Sequence, residues 1–226
     1  MSNLYPSVYP QFSGDILSRT NLFVWYREFL RNSGIPPGYY IEFGVQNGES
    51  IIDVYRQLRG HFTHVFGFDS FKGIPPAKNP IDLEGVGQYP TASIAGNYNS
   101  LSPDEVRKNI ISSCRMPSEM LTLVDGFFED TIPKFDKTKL LKYGELCGVY
   151  IDCTSYDATK MALDFTNDLI KDGTWLFFDD YWCYRGSPKY GPQKAISDWL
   201  NQNPKIGISE YSNFRGFGKS FICYLK

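Results

Sequence analysis

Short apolar segments alternate with segments of helical periodicity along most of this chain. The apolar segments cover residues 39–43, 64–68, 121–125, 147–152 and 174–178, and two further predicted strands cover 206–212 and 219–225. Continuous apolar strands separated by helices are typical of a parallel sheet that is covered on both faces. The last two strands are close enough in sequence to pair antiparallel. We therefore predict an α/β fold with a doubly wound, mostly parallel, seven-stranded Rossmann-like sheet and a C-terminal antiparallel strand pair.

The chain has no composition break that would separate two large domains. Residues 1–37 are predicted to form an N-terminal arm and a helix, and residues 38–226 the main domain. The helix is indicated by apolar residues at helical spacing: Leu22, Trp25, Tyr26, Phe29 and Leu30. Residues 70–101 carry four prolines and no clean period, so we expect a lid or insertion there. A capping box at Ser102–Glu105 then starts the next helix.

Charge and composition exclude several classes of function. The formal net charge of the 226 residues is −2 and no long basic run occurs, which argues against a nucleic-acid partner. No apolar run reaches the roughly 18 residues that a membrane-spanning helix needs, so we expect no membrane partner and a cytoplasmic location. Five cysteines without a CxxC pair indicate neither a disulfide framework nor a zinc site. Tyr5, Tyr9 and Phe12 in the arm either contact a partner subunit in a homo-oligomer or pack locally.

Glycines follow the first predicted strand, where ligands bind in an open α/β sheet. The predicted donor-binding residues of this turn are Glu42, Gly44, Val45, Gly48 and Ser50. Asp69 ends the second strand, before Ser70, and its carboxylate can accept hydrogen bonds from a ribose diol. Gly126 and Phe127 follow the third strand, where an aromatic ring can stack on an adenine. Suitable residues at the ends of these three strands, the strand tips, together favour a nucleoside-type ligand. The absence of the GxGxxG motif counts against a nicotinamide oxidoreductase.

Acidic residues follow the fourth and fifth predicted strands. Asp152 ends one strand, and Asp179 and Asp180 end the next. Their carboxylates are expected to converge at one edge of the sheet, where their repulsion calls for a cation or for protons. Oxygen ligands suit Mg²⁺ or another hard divalent cation. The alternative is that these aspartates cap helices and turns.

Five motifs in order resemble the macrocin O-methyltransferase family of class I S-adenosylmethionine-dependent methyltransferases. They are Glu42–Ser50, Phe66–Pro75, Gly126–Pro133, Val149–Asp152 with Tyr156 and Thr159, and Asp179–Tyr181. The resemblance covers about residues 38–200. It implies a class I methyltransferase fold, S-adenosylmethionine at the glycine turn, Mg²⁺ at the three aspartates, and methyl transfer to a hydroxyl of a small molecule such as a sugar.

One position departs from the family pattern. The family usually has a second aspartate two residues after the first, as general base, whereas this chain has Thr154. A threonine hydroxyl cannot take a proton near neutral pH. Either the metal alone acidifies the acceptor, or Asp157, Tyr181 or Tyr184 serves as base, or catalysis has been lost or changed. We therefore take Asp152, Thr154 and Asp157 as candidate catalytic positions, with a nucleoside-binding module as the alternative function.

Overall fold

The computed structural model describes residues 17–88 and 94–226. The N-terminal arm, and with it the predicted oligomer contact through Tyr5, Tyr9 and Phe12, lies outside the described residues. The strands are β1 Gly38–Phe43, β2 Phe62–Asp69, β3 Leu121–Asp125, β4 Leu146–Ile151, β5 Trp175–Phe178, β6 Ile206–Phe214 and β7 Gly218–Leu225. The helices are α1 Arg19–Asn32, α2 Glu49–Leu58, α3 Pro80–Gly85, α4 Pro103–Cys114, α5 Phe128–Thr131, α6 Tyr156–Thr166 and α7 Gly191–Gln202.

The described strands form one seven-stranded sheet in the order β3-β2-β1-β4-β5-β7-β6. The first five strands in this order run parallel, and β7 pairs antiparallel with both β5 and β6. The predicted fold class is therefore confirmed. His64, the first residue of the predicted second strand, is the third residue of β2, and its Nε2 lies 2.8 Å from the Thr122 hydroxyl, away from the carboxyl ends of the strands.

Helices cover both faces of the sheet because its central strands β1, β4 and β5 are buried along their whole length. Helices α1, α2 and α4 pack on one face, and α6 and α7 on the other. Tyr26 of α1 lies against Trp175 at 4.9 Å between ring centroids, so this helix shares the core of the sheet. Trp25 is 40% exposed, so its predicted place on the buried face of α1 was wrong, and Phe23 is buried there instead. The division at residue 37 stays a prediction.

The long connection after β2 contains a short helix. Helix α3 lies within it, and Phe71 and Asp82 are buried. The capping box at its end is confirmed, because the Ser102 side chain accepts from the backbone of Glu105 and the Glu105 side chain accepts from the backbone of Ser102.

The strand order reverses direction between β1 and β4. The chain moves outward from β1 to β3 and then returns to place β4 on the other side of β1. The Asp152 amide donates to the Phe43 carbonyl at 2.8 Å, which holds the two carboxyl ends together. Ligands of open α/β sheets bind at such a switch point, so the site is sought there.

Candidate functional site

The turn after β1 is tight and depends on its glycines. Gly44 has φ +87°, and a Cβ there would overlap the carbonyl oxygen of Asp152 on the neighbouring strand. Gly48, at φ +85°, caps the N-terminus of α2 without any side chain, and its amide donates to the Val45 carbonyl at 2.8 Å. The first amides of α2 therefore face the end of the sheet, where polar ligand atoms can accept from them.

Asp69 holds this turn to the second strand. Its Oδ2 accepts from the amides of Val45 at 2.7 Å and Gln46 at 2.8 Å, and its Oδ1 accepts from the amide of Phe71 at 2.6 Å. A carboxylate has about four acceptor positions, so three backbone bonds leave room for about one more. Asp69 thus shapes the pocket through the turn, a role that the sequence did not indicate, and its predicted bond to a ribose stays a prediction.

The third strand tip joins the same edge. The Gly126 amide donates to the Asp69 carbonyl at 2.9 Å, and Phe127, half-buried, precedes α5. Gly126 also lines an open groove of about 420 Å³. Ser70 is turned toward its own loop, where its hydroxyl donates to the Gly73 carbonyl at 3.1 Å. The ligand roles of these three residues stay predictions.

Glu42 lies beneath the turn in the interior rather than on its surface. Its side chain is fully buried, and it accepts from the Ser50 hydroxyl at 2.5 Å and from the Tyr40 hydroxyl at 3.2 Å. Burial raises the pKa of Glu42 from 4.5 to about 8, partly offset by these hydrogen bonds and by Arg19. Glu42 and Ser50, both predicted to line the donor pocket, are therefore bonded to each other.

Glu42 should make the stability of the protein fall as the pH rises. Its pKa is higher in the folded than in the unfolded chain, so the folded state retains a proton that the unfolded state loses between about pH 5 and pH 8. We expect the free energy of unfolding to decrease over this range, with Glu42 contributing on the order of a few kcal/mol. Glu42→Gln should flatten the decrease, measured by urea unfolding at both ends of the range.

The matched control is Glu49→Gln, at an exposed position at the start of α2. This variant should keep the wild-type pH slope. An equal slope in Glu42→Gln and wild type would show that Glu42 is not the buried acid responsible.

The acidic residues Asp152 and Asp179 directly follow two neighbouring strands, β4 and β5. The register pairs Ile151 with Phe178, which places Asp152 beside Asp179. Burial, followed by the charges of Asp179 and Asp180, raises the pKa of Asp152 well above its usual range. Burial and Asp179 likewise raise the pKa of Asp180 to about 6.

Asp179 is already neutralised by residues of this chain. Its Oδ1 accepts from the Tyr150 hydroxyl at 2.5 Å, and its Oδ2 forms an ion pair with Arg215 at 2.9 Å. Within the described residues, no three histidine, cysteine or acidic side chains are grouped as a metal-binding set. The carboxylate oxygens of the three aspartates have ligand chemistry that suits a hard cation, and the metal site stays a prediction.

A cavity of about 360 Å³ opens beside Thr154. It lies between the connection after β2 and helix α6, and its polar lining consists of Lys78, Asp82, Glu129, Thr154, Ser155, Asp157, Lys160 and Tyr184. The Tyr184 hydroxyl donates to the Thr154 carbonyl at 2.9 Å. Burial raises the pKa of Tyr181, which makes this tyrosine a poorer base at neutral pH. Thr154 and Asp157 both line this cavity, and their catalytic roles stay predictions.

Some residues of the site gave no signal in the sequence. Arg215 lies in the turn between β6 and β7, and Arg19 opens α1, so neither is near a recognised motif. Burial lowers the pKa of Arg19, but its interactions with Tyr150, Glu42 and Asp179 together raise the pKa above its usual value. Asp82, inside the irregular connection, also contributes to the cavity.

Comparison with known proteins identifies a matching family and a shared fold. A family model described as Macrocin-O-methyltransferase (TylF) matches residues 22–203. A comparison with curated protein sequences finds no significant match. Within the described residues, no helix is long and apolar enough to span a membrane.

Solved methyltransferase structures share the fold. The O-methyltransferase NovP superposes with a TM-score of 0.69 at 20% identity, over 92% of this chain and 80% of its own. The calicheamicin methyltransferase CalS11 gives 0.66 at 20% identity, over 91% and 80%. An O-methyltransferase from Bacillus cereus in complex with SAH gives 0.55 at 13% identity, over 96% and 84%.

Proposed function

Because the chain belongs to the macrocin O-methyltransferase family, and is therefore an S-adenosylmethionine-dependent O-methyltransferase, we propose that it methylates a hydroxyl of a sugar or glycosylated natural product. NovP, which shares its fold, is an O-methyltransferase, and CalS11, which also shares it, is a TDP-rhamnose 3'-O-methyltransferase. The observation that carries the proposal is the cavity beside Thr154, a residue three positions beyond the end of β4, because hydroxyl and carboxylate groups line it.

The donor is proposed to bind across the glycine turn. The residues assigned to it are Glu42, Gly44, Val45, Gly48, Ser50, Asp69, Ser70, Gly126 and Phe127. Two features support the placement: the uncapped amides of α2 and the contact between the Asp69 carbonyl and the Gly126 amide. Glu42 and Ser50 would support the turn from below rather than touch the ligand.

The charges of the cavity favour an acceptor that is rich in hydroxyls and uncharged. Lys78 is paired with Glu129 at 2.6 Å, and Lys160 with Asp164 at 2.6 Å. An anionic acceptor would have to compete with these carboxylates for each ammonium group. Hydroxyl, carbonyl and carboxylate groups around the cavity suit the hydrogen bonds of a sugar.

Asp157 is the carboxylate best suited to take the acceptor proton. Of the other two acids in the cavity, Asp82 accepts from two backbone amides and Glu129 is paired with Lys78. In the proposed reaction the acceptor oxygen attacks the methyl carbon in line, the carbon–sulfur bond breaks, and the hydroxyl proton passes to Asp157. S-adenosylhomocysteine and the methyl ether are the products.

Mg²⁺, or another hard divalent cation, is proposed at Asp152, Asp179 and Asp180. Such an ion would lower the pKa of a bound hydroxyl. Support comes from three carboxylates at neighbouring strand tips, two of them with raised pKa. Binding would require Arg215 to release Asp179, so metal affinity is expected to be modest.

Calorimetric titration tests the proposal. S-adenosylhomocysteine should bind, NAD should not, and a panel of sugars and glycosides should be methylated with S-adenosylmethionine. Tight NAD binding without a response to S-adenosylhomocysteine would overturn the assignment.

The metal proposal has its own test. If Mg²⁺ has no effect on binding or methylation and Asp179→Ala changes neither, the metal proposal fails. Donor binding without methylation of any hydroxyl would favour the nucleoside-binding module that Thr154 suggests.

Removal of the proposed base should be reversible by a nearby carboxylate. Asp157→Asn is expected to lower kcat by about 100-fold, because general bases typically contribute that much or more. Thr154→Asp should recover part of this loss in the Asp157→Asn background, since residue 154 lines the same cavity. Steady-state kinetics with a methylated acceptor measure both effects.

Thr154→Asn is the control, since it matches the size of aspartate without a basic group. Equal kcat in the Asp and Asn variants at position 154 would exclude a base at that position. A wild-type kcat in Asp157→Asn would exclude Asp157 as the base.

A further inference from the structure

Helix α3 is attached to the first turn of helix α6 by one buried carboxylate. Asp82 is 6% exposed, although it belongs to the irregular connection after β2. Its Oδ1 accepts from the Tyr156 amide at 2.7 Å, and its Oδ2 accepts from the Asp157 amide at 3.1 Å. Both oxygens of Asp82 are therefore bonded to the start of α6.

This arrangement is a helix cap supplied by a distant part of the chain. The first four amides of a helix lack partners within it, and the preceding residue usually provides one acceptor. Here Ser155 accepts from the Ala158 amide at 3.2 Å in that ordinary way. Asp82, 74 residues before Tyr156, accepts from two other amides, so the cap joins two segments that are far apart in sequence.

Neighbouring contacts hold α3 in the same place. The Asn79 side chain accepts from the Ile81 amide at 2.8 Å, which caps α3, and its amide group donates to Asp157 Oδ1 at 2.9 Å. At the other end of α3, the Tyr190 hydroxyl donates to Glu84 at 2.8 Å. A Cβ at Gly85 would lie 2.9 Å from the Tyr184 ring, so helix and ring are in close contact.

We propose that Asp82 is a positioning residue, which holds α3 against α6 so that the wall of the acceptor cavity is formed and Asp157 is correctly oriented. The inference rests on the proposed acceptor site and on Asp157 as base. Two features of Asp157 are fixed from α3: its backbone amide by Asp82 and its carboxylate by Asn79. Because residues 74–78 and 82 line the cavity, the same attachment determines its shape.

The test is Asp82→Asn, which keeps the size of the side chain but turns one acceptor into a donor that faces an N–H group. We expect hydrogen exchange at the amides of Leu83 in α3 and of Val86 at its C-cap to become about tenfold faster. We also expect the acceptor KM to rise and kcat to fall, each by about tenfold, while the Kd for S-adenosylhomocysteine stays unchanged. The exchange measurement needs no turnover, so it remains informative if the proposed reaction is wrong.

Ser155→Ala separates this role from simple stabilisation of α6. It removes a capping bond of the same helix but leaves the contacts of α3 intact. Hydrogen exchange in α3 should stay at the wild-type rate in Ser155→Ala. Equal exchange rates in Asp82→Asn and wild type, or equal acceleration in both variants, would overturn the proposal.

A milder variant covers the case in which Asp82→Asn does not fold. Asn79→Ala removes the bond to Asp157 and the cap of α3 while leaving Asp82 in place. It should show the same pattern, with faster exchange in α3 and a lower kcat, to a smaller extent. A folded Asn79→Ala variant with wild-type exchange and wild-type kcat would contradict the inference.

Discussion

Gly44→Ala is expected to abolish donor binding and to lower the free energy of unfolding by about 3 kcal/mol or more. The residue has φ +87°, where a side chain costs about 1–2 kcal/mol by itself. The added methyl group would also overlap the Asp152 carbonyl, which lies at the tip of the adjacent strand. Relief of this overlap must move the end of β1 away from Asp152, at the edge of the sheet where we propose the donor site. Urea unfolding and calorimetry with S-adenosylhomocysteine measure the two effects.

Gly60→Ala provides the matched control. Gly60 has nearly the same conformation, φ +90°, but no atom lies within 4 Å of the Cβ that alanine would add. This variant should lose only about 1 kcal/mol of stability and keep its affinity for the donor product. Suppose that Gly44→Ala and Gly60→Ala lose the same stability and both still bind S-adenosylhomocysteine. The close approach of the Asp152 carbonyl would then not be the reason for glycine at position 44.

The sheet and its tips were predictable because they depend on local patterns. Apolar runs define strands, and the rule that ligands bind at the carboxyl ends of parallel strands then places Gly44, Asp69 and Asp152 on one edge. The order of the strands confirms that placement. The same local reasoning predicted the capping box at Ser102, since all of its atoms lie within one turn of helix.

Contacts between distant segments were not predictable from those patterns. Helix α3 has six residues, follows several prolines and has no clear period, and its attachment through Asp82 depends on α6 being folded nearby. Arg215 pairs with Asp179 only because the β6–β7 turn returns to the same sheet edge. For Glu42, the sequence indicated a position in the turn but not that its carboxylate points into the core toward Tyr40.

Asp69→Asn is expected to weaken S-adenosylhomocysteine binding by about 100-fold. Asp69 accepts hydrogen bonds from three backbone amides, two of which belong to the glycine turn. The substitution turns one of the two acceptor atoms of the side chain into a donor. At least one amide would then lose a charge-assisted bond, which is typically worth about 1.5–3 kcal/mol. Asp125→Asn is the control, since Asp125 pairs in register with Asp69 on the next strand and is exposed. The affinity of Asp125→Asn for S-adenosylhomocysteine should stay within a few-fold of wild type.

A double-mutant cycle separates the two roles of Asp69 at this site. If the carboxylate also accepts from the ribose, wild type should bind a 2'-deoxy analogue of S-adenosylhomocysteine about tenfold more weakly than the parent compound. In Asp69→Asn the analogue and the parent should then bind equally, because the partner of the hydroxyl is already impaired. Additive losses would mean that Asp69 acts only through the turn and that another group binds the ribose. Since the Asp69 carboxylate has about one acceptor position left, the cycle should show coupling.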